Sequence, residues 1–323
     1  QQLIELAKQQ HCEAIHPGYG FLAENAEFAR ACQANGIAFI GPSAQVLELF
    51  GDKAAARALA ERCAVPLVRG INQAVTLEQA QAFMRSLGDG AAVMLKALAG
   101  GGGRGMRAVH APAELEQAYA RCQSEALSAF GNGALYVEQL VSRARHIEVQ
   151  ILGDHSGQLS HLWERDCSLQ RRQQKLVEIA PSPDLPGTTR DALISAALQL
   201  AEQSAYQGIG TFEFLLDLDQ PDCFYFMEAN PRIQVEHTVT EAVTGVDLVH
   251  TQLWLSAGRT LAELGLTEPP AVNGCAIQLR INLESQHADG SIRPAAGILS
   301  AYEPPSGPGL RVDGYGYAGY PVS

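Results

Sequence analysis

The stretch Phe226-Met227-Glu228-Ala229-Asn230-Pro231-Arg232-Ile233-Gln234-Val235-Glu236 gathers the groups best suited to chemistry. An extended segment alternates its side chains between two faces. On that reading Phe226, Glu228, Asn230, Arg232, Gln234 and Glu236 share one face, and Met227, Ala229, Pro231, Ile233 and Val235 the other. Acid, amide and guanidinium on one surface describe a site that handles a cation and an anion together. Upstream, residues 211–216 and 223–227 are apolar runs around the turn-rich Asp217-Leu218-Asp219-Gln220-Pro221-Asp222, the pattern of an antiparallel hairpin. With the turn centred between Gln220 and Pro221, Glu213 falls opposite Glu228. Facing carboxylates repel, and burying either one unpaired is costly. A divalent cation removes both problems, and oxygen ligands with an amide beside them suit Mg²⁺ or Mn²⁺. The alternative is that one acid turns to water and the other caps a turn.

These groups need a scaffold. Residues 1–50 alternate helix and strand: a short helix, a strand at 12–16, the loop Pro17-Gly18-Tyr19-Gly20, a helix over 23–35 stopped by Gly36, and a strand at 37–40. Such alternation implies a parallel sheet with ligands at the carboxyl ends of its strands, where the loop at 16–20 sits. Asp52 is placed to cap a helix at 53–63. Residues 68–140 read as a small α/β unit, with helices at 76–87 and 112–127 and strands at 92–98, 106–110 and 134–139. From about 145 strands dominate, with helices at 188–206 and 239–257. The domain boundaries predicted are 1–67, 68–140 and 141–323.

Gly100-Gly101-Gly102-Gly103-Arg104-Gly105 matches G-x-G-x-x-G, a weak signal alone. A strand rather than a helix follows it, so a dinucleotide fingerprint is excluded, and no Gly-Lys-Ser/Thr supports a P-loop. A glycine hairpin can still lay backbone N–H groups over phosphates as a mobile lid. Four consecutive glycines are costly to order, and a ligand offsets that cost; the competing reading is a flexible surface hairpin. Lys96 lies in the apolar strand before the loop, a poor place for an unpaired ammonium. Lys53 opens a helix, where the macrodipole disfavours a cation. An anion nearby would answer both, although a long lysine can also bend into water. The segment 164–175 (Glu-Arg-Asp-Cys-Ser-Leu-Gln-Arg-Arg-Gln-Gln-Lys) is densely cationic. Arg165-Asp166 does not make it a kinase, since Lys96 precedes the glycines and no catalytic-loop asparagine follows the aspartate. His146 and Arg280 each sit among alternating apolar residues and mean little alone.

The chain has 323 residues, enough for two or three domains, with 46% hydrophobic and 18% charged residues. Its net charge of 23 − 35 = −12 argues against nucleic-acid and anionic-membrane partners. Seven dispersed cysteines without C-x-x-C spacing predict reduced thiols and a cytoplasmic protein. Neither a secretory signal nor a membrane-length apolar run is present. Gln1 opens inside a helical pattern and Ser323 follows a Gly/Tyr-rich tail, so a fragment of a longer polypeptide is expected.

Taken together, these stretches resemble the biotin carboxylase domain of biotin-dependent carboxylases, an ATP-grasp enzyme, here a part of a multidomain acyl-CoA or pyruvate carboxylase. The resemblance spans essentially the whole chain. It rests on His16-Pro17-Gly18-Tyr19-Gly20-Phe21-Leu22, Gly51-Asp52-Lys53, Lys96 with its glycine loop, Arg145-His146-Ile147-Glu148, the segment 164–175, residues 211–214 and residues 228–237, above all Arg232-Ile233-Gln234-Val235-Glu236-His237. It implies an α/β (α+β) ATP-grasp fold. A partial doubly wound α/β segment would occupy 1–67 and a glycine-loop lid 68–140. A larger mixed-sheet part at 141–323 would include the start of the C-terminal domain. It also implies that Lys53, Lys96, Gly101, Gly102, Gly103, Arg104, Gly105 and Met106 hold ATP, with Glu138, His146 and Gln170 near adenine or ribose. Glu213 and Glu228, with Asn230, would hold Mg²⁺ or Mn²⁺. Lys175, Arg232, Gln234 and Val235 would bind bicarbonate and the transferring phosphate, and Glu236 would deprotonate bicarbonate. Carboxyphosphate would form and release CO₂ to N1′ of biotin, with Arg280 stabilising the biotin enolate and Tyr19 near the ureido ring.

The implied partners are a biotin carrier domain and a carboxyltransferase domain, in a homo-oligomeric parent. No Met-Lys-Met biotinylation motif occurs here, so biotin is expected from elsewhere. One departure stands out: Gln173 replaces the family's usual histidine, which is expected to weaken a ribose or phosphate contact. Two other functions compete: a different ATP-grasp ligase, which Arg232–His237 and His16–Leu22 oppose, and a nucleotide-binding domain without turnover, which only Gln173 favours.

Overall fold

The computed structural model describes every residue except 72, 99–104, 172, 221 and 323. The chain forms two compact units, Gln1–Leu279 and Arg280–Ser323. In the first, helix α1 (Gln2–Gln9) precedes strand β1 (Ala14–Ile15), helix α2 (Ala26–Ala34) and strand β2 (Ala38–Phe39). β1 and β2 pair in parallel, as the alternation predicts. Ile4, Ala7, Phe28, Cys32 and Ile37 form the core under this unit. Helix α3 (Ala44–Gly51), capped by Ser43, was not predicted, although Gln45 and Glu48, three apart and exposed, mark a short polar face opposite buried Val46, Leu47 and Phe50. It meets helix α4 (Lys53–Arg62) at Asp52, whose carboxylate accepts from Ala54 N and Ala55 N as the sequence suggests.

Strand β3 (Gly70–Ile71), helix α5 (Leu77–Ser86), strands β4 (Val93–Ala97) and β5 (Met106–Val109), helix α6 (Leu115–Phe130) and strand β6 (Leu135–Gln139) follow. Thr76 and Gln79 form a capping box on α5, and Gly131 at φ +71° ends α6. The strands make an antiparallel sheet in the order β3-β6-β4-β5, its core built on Val93, Leu95, Val109, Leu115, Cys122 and Val137. The helix expected from 112 begins at Leu115, after a short 3₁₀ turn over Pro112–Glu114.

The largest sheet comes from strands β7 (Ala144–Gly153), β8 (Leu159–Arg171) and β9 (Gln174–Ala180), helix α7 (Gly187–Gln203), and strands β10 (Gly208–Asp217) and β11 (Phe224–Asn230). Helices α8 (His237–Thr244) and α9 (Leu248–Ser256) and strand β12 (Ala276–Leu279) complete the unit. The order is β11-β10-β7-β8-β9-β12, with antiparallel pairing and one isolated parallel bridge from Leu67 to Phe226. One face is apolar: Ile147, Val149, Ile151, Phe212, Phe214 and Phe226 pack against Leu193, Ala197 and Leu200 of α7. The single helix expected at 239–257 is instead two, because Gly245 turns left-handed at φ +73° and Asp247 starts a new helix by accepting from His250 N. In the second unit, β13 (Glu284–Gln286) pairs with β14 (Ile292–Pro294), and β15 (Gly297–Ile298) with β16 (Pro321–Val322).

A close approach at the end of β7 leaves no room for a side chain. A Cβ on Gly153 would stand 2.3 Å from the Tyr206 carbonyl oxygen, a backbone atom that cannot swing away. Gly153→Ala is expected to destabilise the fold by about 3 kcal/mol, read as a drop in the thermal unfolding midpoint.

Candidate active site

The hairpin expected at 211–227 forms, and Glu213 of β10 lies directly opposite Glu228 of β11. A bulge between Glu213 and Phe214 then shifts the register, so Phe214 pairs with Phe226 and Met227 becomes the extra residue. This corrects the simple alternation. Phe226 turns into the apolar core, while Glu228 and Asn230 keep the polar side. The extended stretch also ends at Asn230; from Pro231 the chain is a loop leading to α8, and Glu236 occupies the N-cap position of that helix. Loop and helix, rather than one long strand, bring Arg232, Gln234 and Glu236 over the sheet.

On the other side of β10, Glu213 pairs with Glu148 of β7, and Glu148 pairs with Arg165 of β8. Glu228, Glu213, Glu148 and Arg165 thus form one transverse row over four strands. Like charges at paired positions repel, so the row needs cations. Two are supplied by the chain. The Arg165 guanidinium donates through Nε to Glu148 Oε1 at 2.5 Å. The Lys175 ammonium donates to Glu148 Oε2 at 2.5 Å, Glu213 Oε1 at 2.8 Å and Glu236 Oε1 at 2.9 Å. Burial works against the charged lysine, but the surrounding carboxylates outweigh it and hold Lys175 well above its ordinary pKa. Glu213 is likewise held well below the usual carboxylate range: Lys175 and His146 overcome its burial.

Glu213 collects further donors. Asn230 Nδ2 and Gln234 Nε2 reach its Oε1 at 2.7 and 2.9 Å. His146 Nε2 lies 2.6 Å from Oε2, and Gln170 Nε2 donates to His146 Nδ1 at 2.8 Å. Burial disfavours the charged imidazole, yet Glu213 raises the His146 pKa above its ordinary value. Arg232 bonds Glu24 at 2.5 Å through Nε and Asn230 Oδ1 at 3.0 Å through Nη2.

Glu228 lacks such compensation. Burial and the neighbouring Glu213 charge both raise its pKa, with Lys53 and Lys96 opposing. Burial in turn lowers the Lys53 pKa. Two facing carboxylates, one of them pushed toward its protonated form, beside an amide oxygen are a hard-oxygen donor set. That chemistry fits Mg²⁺ or Mn²⁺. Lys96 is buried on β4 in an ion pair with Glu138 of β6, and Arg57 stands 3.7 Å from the same carboxylate. Gly105 and Met106 adjoin β4, the Gly105 carbonyl accepting from Ala97 N; Gly101, Gly102, Gly103 and Arg104 lie outside the described residues.

Glu213, Glu228, Asn230, His146, Gln170, Lys175, Gln234 and Glu236 therefore converge. Val235 is half-buried beside them in sequence, and Tyr19 is an exposed aromatic, 58% accessible. Arg280 opens the second unit. Gln173 is exposed at the turn between β8 and β9 with φ +64°. Glu148 and Arg165 were not singled out from the sequence as site residues. The signal for Glu148 was the alternation His146-Ile147-Glu148-Val149-Gln150, which sets three polar groups on one face of a strand.

A lid-like α/β unit carrying a buried lysine, followed by a six-stranded sheet with an acid row, defines an ATP-binding ligase domain of the ATP-grasp type. Residues 52–264 match the family described as "Carbamoyl-phosphate synthase L chain, ATP binding domain", and residues 1–47 match "Biotin carboxylase, N-terminal domain". The Campylobacter jejuni biotin carboxylase, in its β,γ-ATP complex, is 40% identical with a TM-score of 0.91, covering 99% of this chain and 70% of its own. The biotin carboxylase domain dimer of Hydrogenobacter thermophilus 2-oxoglutarate carboxylase, with MgADP, ADP and bicarbonate, is 43% identical with a TM-score of 0.92, covering 100% and 70%. The chain belongs to the biotin carboxylase family, ATP-dependent ligases that form a carbon–nitrogen bond. Mitochondrial pyruvate carboxylase of Rattus norvegicus is 50% identical over 313 residues, 96% of this chain and 26% of the relative. The chain thus spans about a quarter of the length of that relative. Among the described residues no helix is long and apolar enough to cross a membrane, and all seven cysteines are free thiols.

Proposed function

We propose that this chain performs the first half of a biotin-dependent carboxylation: ATP and bicarbonate give carboxyphosphate and ADP, and the CO₂ released carboxylates N1′ of biotin on a carrier domain. The observation that carries this reading is the single ammonium of Lys175 shared by Glu148, Glu213 and Glu236. It joins the metal-type acids to a third buried carboxylate placed to act as a base, so one cation serves the phosphate and bicarbonate ends together. Phosphoryl transfer is chiefly positioning and charge neutralisation.

In this reading Lys53, Lys96 and the loop from Gly101 to Met106 hold the phosphates of ATP, with Glu138, His146 and Gln170 toward the nucleoside. Glu213, Glu228 and Asn230 hold Mg²⁺ or Mn²⁺, which when bound neutralises charge on the phosphates. Lys175, Arg232, Gln234 and Val235 orient bicarbonate, and Glu236 takes its proton, which makes it a nucleophile toward the γ-phosphorus. Tyr19 and Arg280 serve the biotin ring. The functional parts are 1–67, 68–140 and 141–323.

The remainder of the protein would supply the carrier and carboxyltransferase domains, in a homo-oligomer. Identity of 46–50% with several pyruvate carboxylases supports pyruvate as the final acceptor. Free thiols support a reducing compartment, the cytoplasm.

The test is ATP hydrolysis by the intact carboxylase with Mg²⁺, with and without bicarbonate and free biotin. Hydrolysis that requires bicarbonate and rises with biotin is expected. Turnover indifferent to bicarbonate would assign the chain to another ligase reaction, and nucleotide binding without turnover would make it a degenerate domain.

A further inference from the structure

Arg165 is fully buried, and each of its five N–H donors has an acceptor. Nε donates to Glu148 Oε1; Nη1 to Gln150 Oε1 and Thr240 Oγ1, both at 2.9 Å; Nη2 to Thr211 Oγ1 at 3.1 Å and Gln234 Oε1 at 3.0 Å. The acceptors come from β7, β10, α8 and the loop that carries Gln234, so one planar group ties the sheet to the helix and loop above it. An arginine used in this way is fixed in plane as well as in position.

Two of those bonds have directional consequences. Because Gln234 Oε1 accepts from Arg165, its amide cannot flip, and Nε2 is directed to Glu213, with its second hydrogen left for an acceptor. Because Glu148 Oε1 is engaged by Arg165, Oε2 is the atom that receives Lys175. Arg165 thereby sets two of the four groups that the proposed function assigns to bicarbonate, Gln234 directly and Lys175 through a carboxylate.

We propose that Arg165 is a positioning residue for the bicarbonate end of the site: it touches no reactant, fixes the amide orientation of Gln234, and anchors Lys175 through Glu148. Among the described residues its hydrogen-bond partners are Glu148, Gln150, Thr211, Gln234 and Thr240, and neither Lys53 nor Lys96 of the nucleotide end, so its loss should separate the two substrates. This inference rests on the biotin carboxylase reading of the site.

The experiment compares Arg165→Lys with the parent in the intact carboxylase, reading the KM for bicarbonate, the Kd for MgATP and the unfolding midpoint. Lysine keeps the charge but presents three donors on a flexible stem instead of a planar fork. The expected result is a rise of about tenfold or more in bicarbonate KM, with MgATP affinity held. In a Gln234→Ala background the same substitution should add less, since the part of its effect that runs through the amide is already lost and only the part through Glu148 and Lys175 remains. Should Arg165→Lys not fold, Thr240→Val removes a single acceptor and is expected to raise bicarbonate KM less, again non-additively with Gln234→Ala. Unchanged bicarbonate KM, additive effects, or a parallel loss of MgATP affinity and midpoint would overturn the proposal. A parent without bicarbonate-dependent turnover would instead overturn the functional reading beneath it.

Discussion

Glu236→Gln is expected to lower bicarbonate-dependent ATP cleavage by about 10³-fold, within the range for removal of a positioned general base, while MgATP still binds. Glu236 is buried at the N-cap of α8, and its Oε1 receives the Lys175 ammonium at 2.9 Å. Glutamine has nearly the same shape, and its amide oxygen can accept that hydrogen bond, so packing is preserved. What it cannot do is take a proton. Lys175 retains Glu148 and Glu213, and the Lys96–Glu138 pair on the lid sheet is a separate cluster. The loss should therefore fall on kcat and not on nucleotide affinity. Phosphate release measured with and without bicarbonate, beside calorimetric titration with MgATP, checks it. A variant that keeps the parental kcat would move the base elsewhere.

The acid pair was legible in the sequence because two apolar runs and a turn set their own register: Glu213 meets Glu228 as expected. The bulge at Met227 was not legible, since Phe226 and Met227 are both apolar and alternation alone cannot say which is extra. The same limit hid the break between α8 and α9, where the apolar pattern runs on past Gly245. Arg232, Gln234 and Glu236 were found through the wrong local geometry; a loop and a helix start deliver them to the face that a strand was expected to provide. Glu148 and Arg165 were missed because a row across strands is a matter of sheet order, and strand order is long-range information. β7 lies between β10 and β8 although some sixty residues separate it from β10.

Lys175→Met should destabilise the protein more than any single acid substitution, since one ammonium serves three carboxylates. Methionine fills similar volume with no donor. Removing one partner of a buried charge pair costs about 3–5 kcal/mol, and activity should fall by about 10²–10³-fold or more, as for loss of a charge-stabilising donor. The pH dependence follows from Glu213. Its pKa is held well below the usual carboxylate range, because Lys175 and His146 overcome burial. A carboxyl depressed on folding contributes stability above its unfolded pKa and loses it as pH falls through the folded one. The variant forfeits much of that contribution, so its deficit should be largest near neutral pH and shrink on acidification, measured as unfolding midpoints across pH. The variant also removes the cation that occupies Glu213. Mg²⁺ should consequently raise its midpoint more than it raises the parent's, even while catalysis is lost. Equal Mg²⁺ responses in the two proteins would mean that Lys175 and the metal do not share that carboxylate.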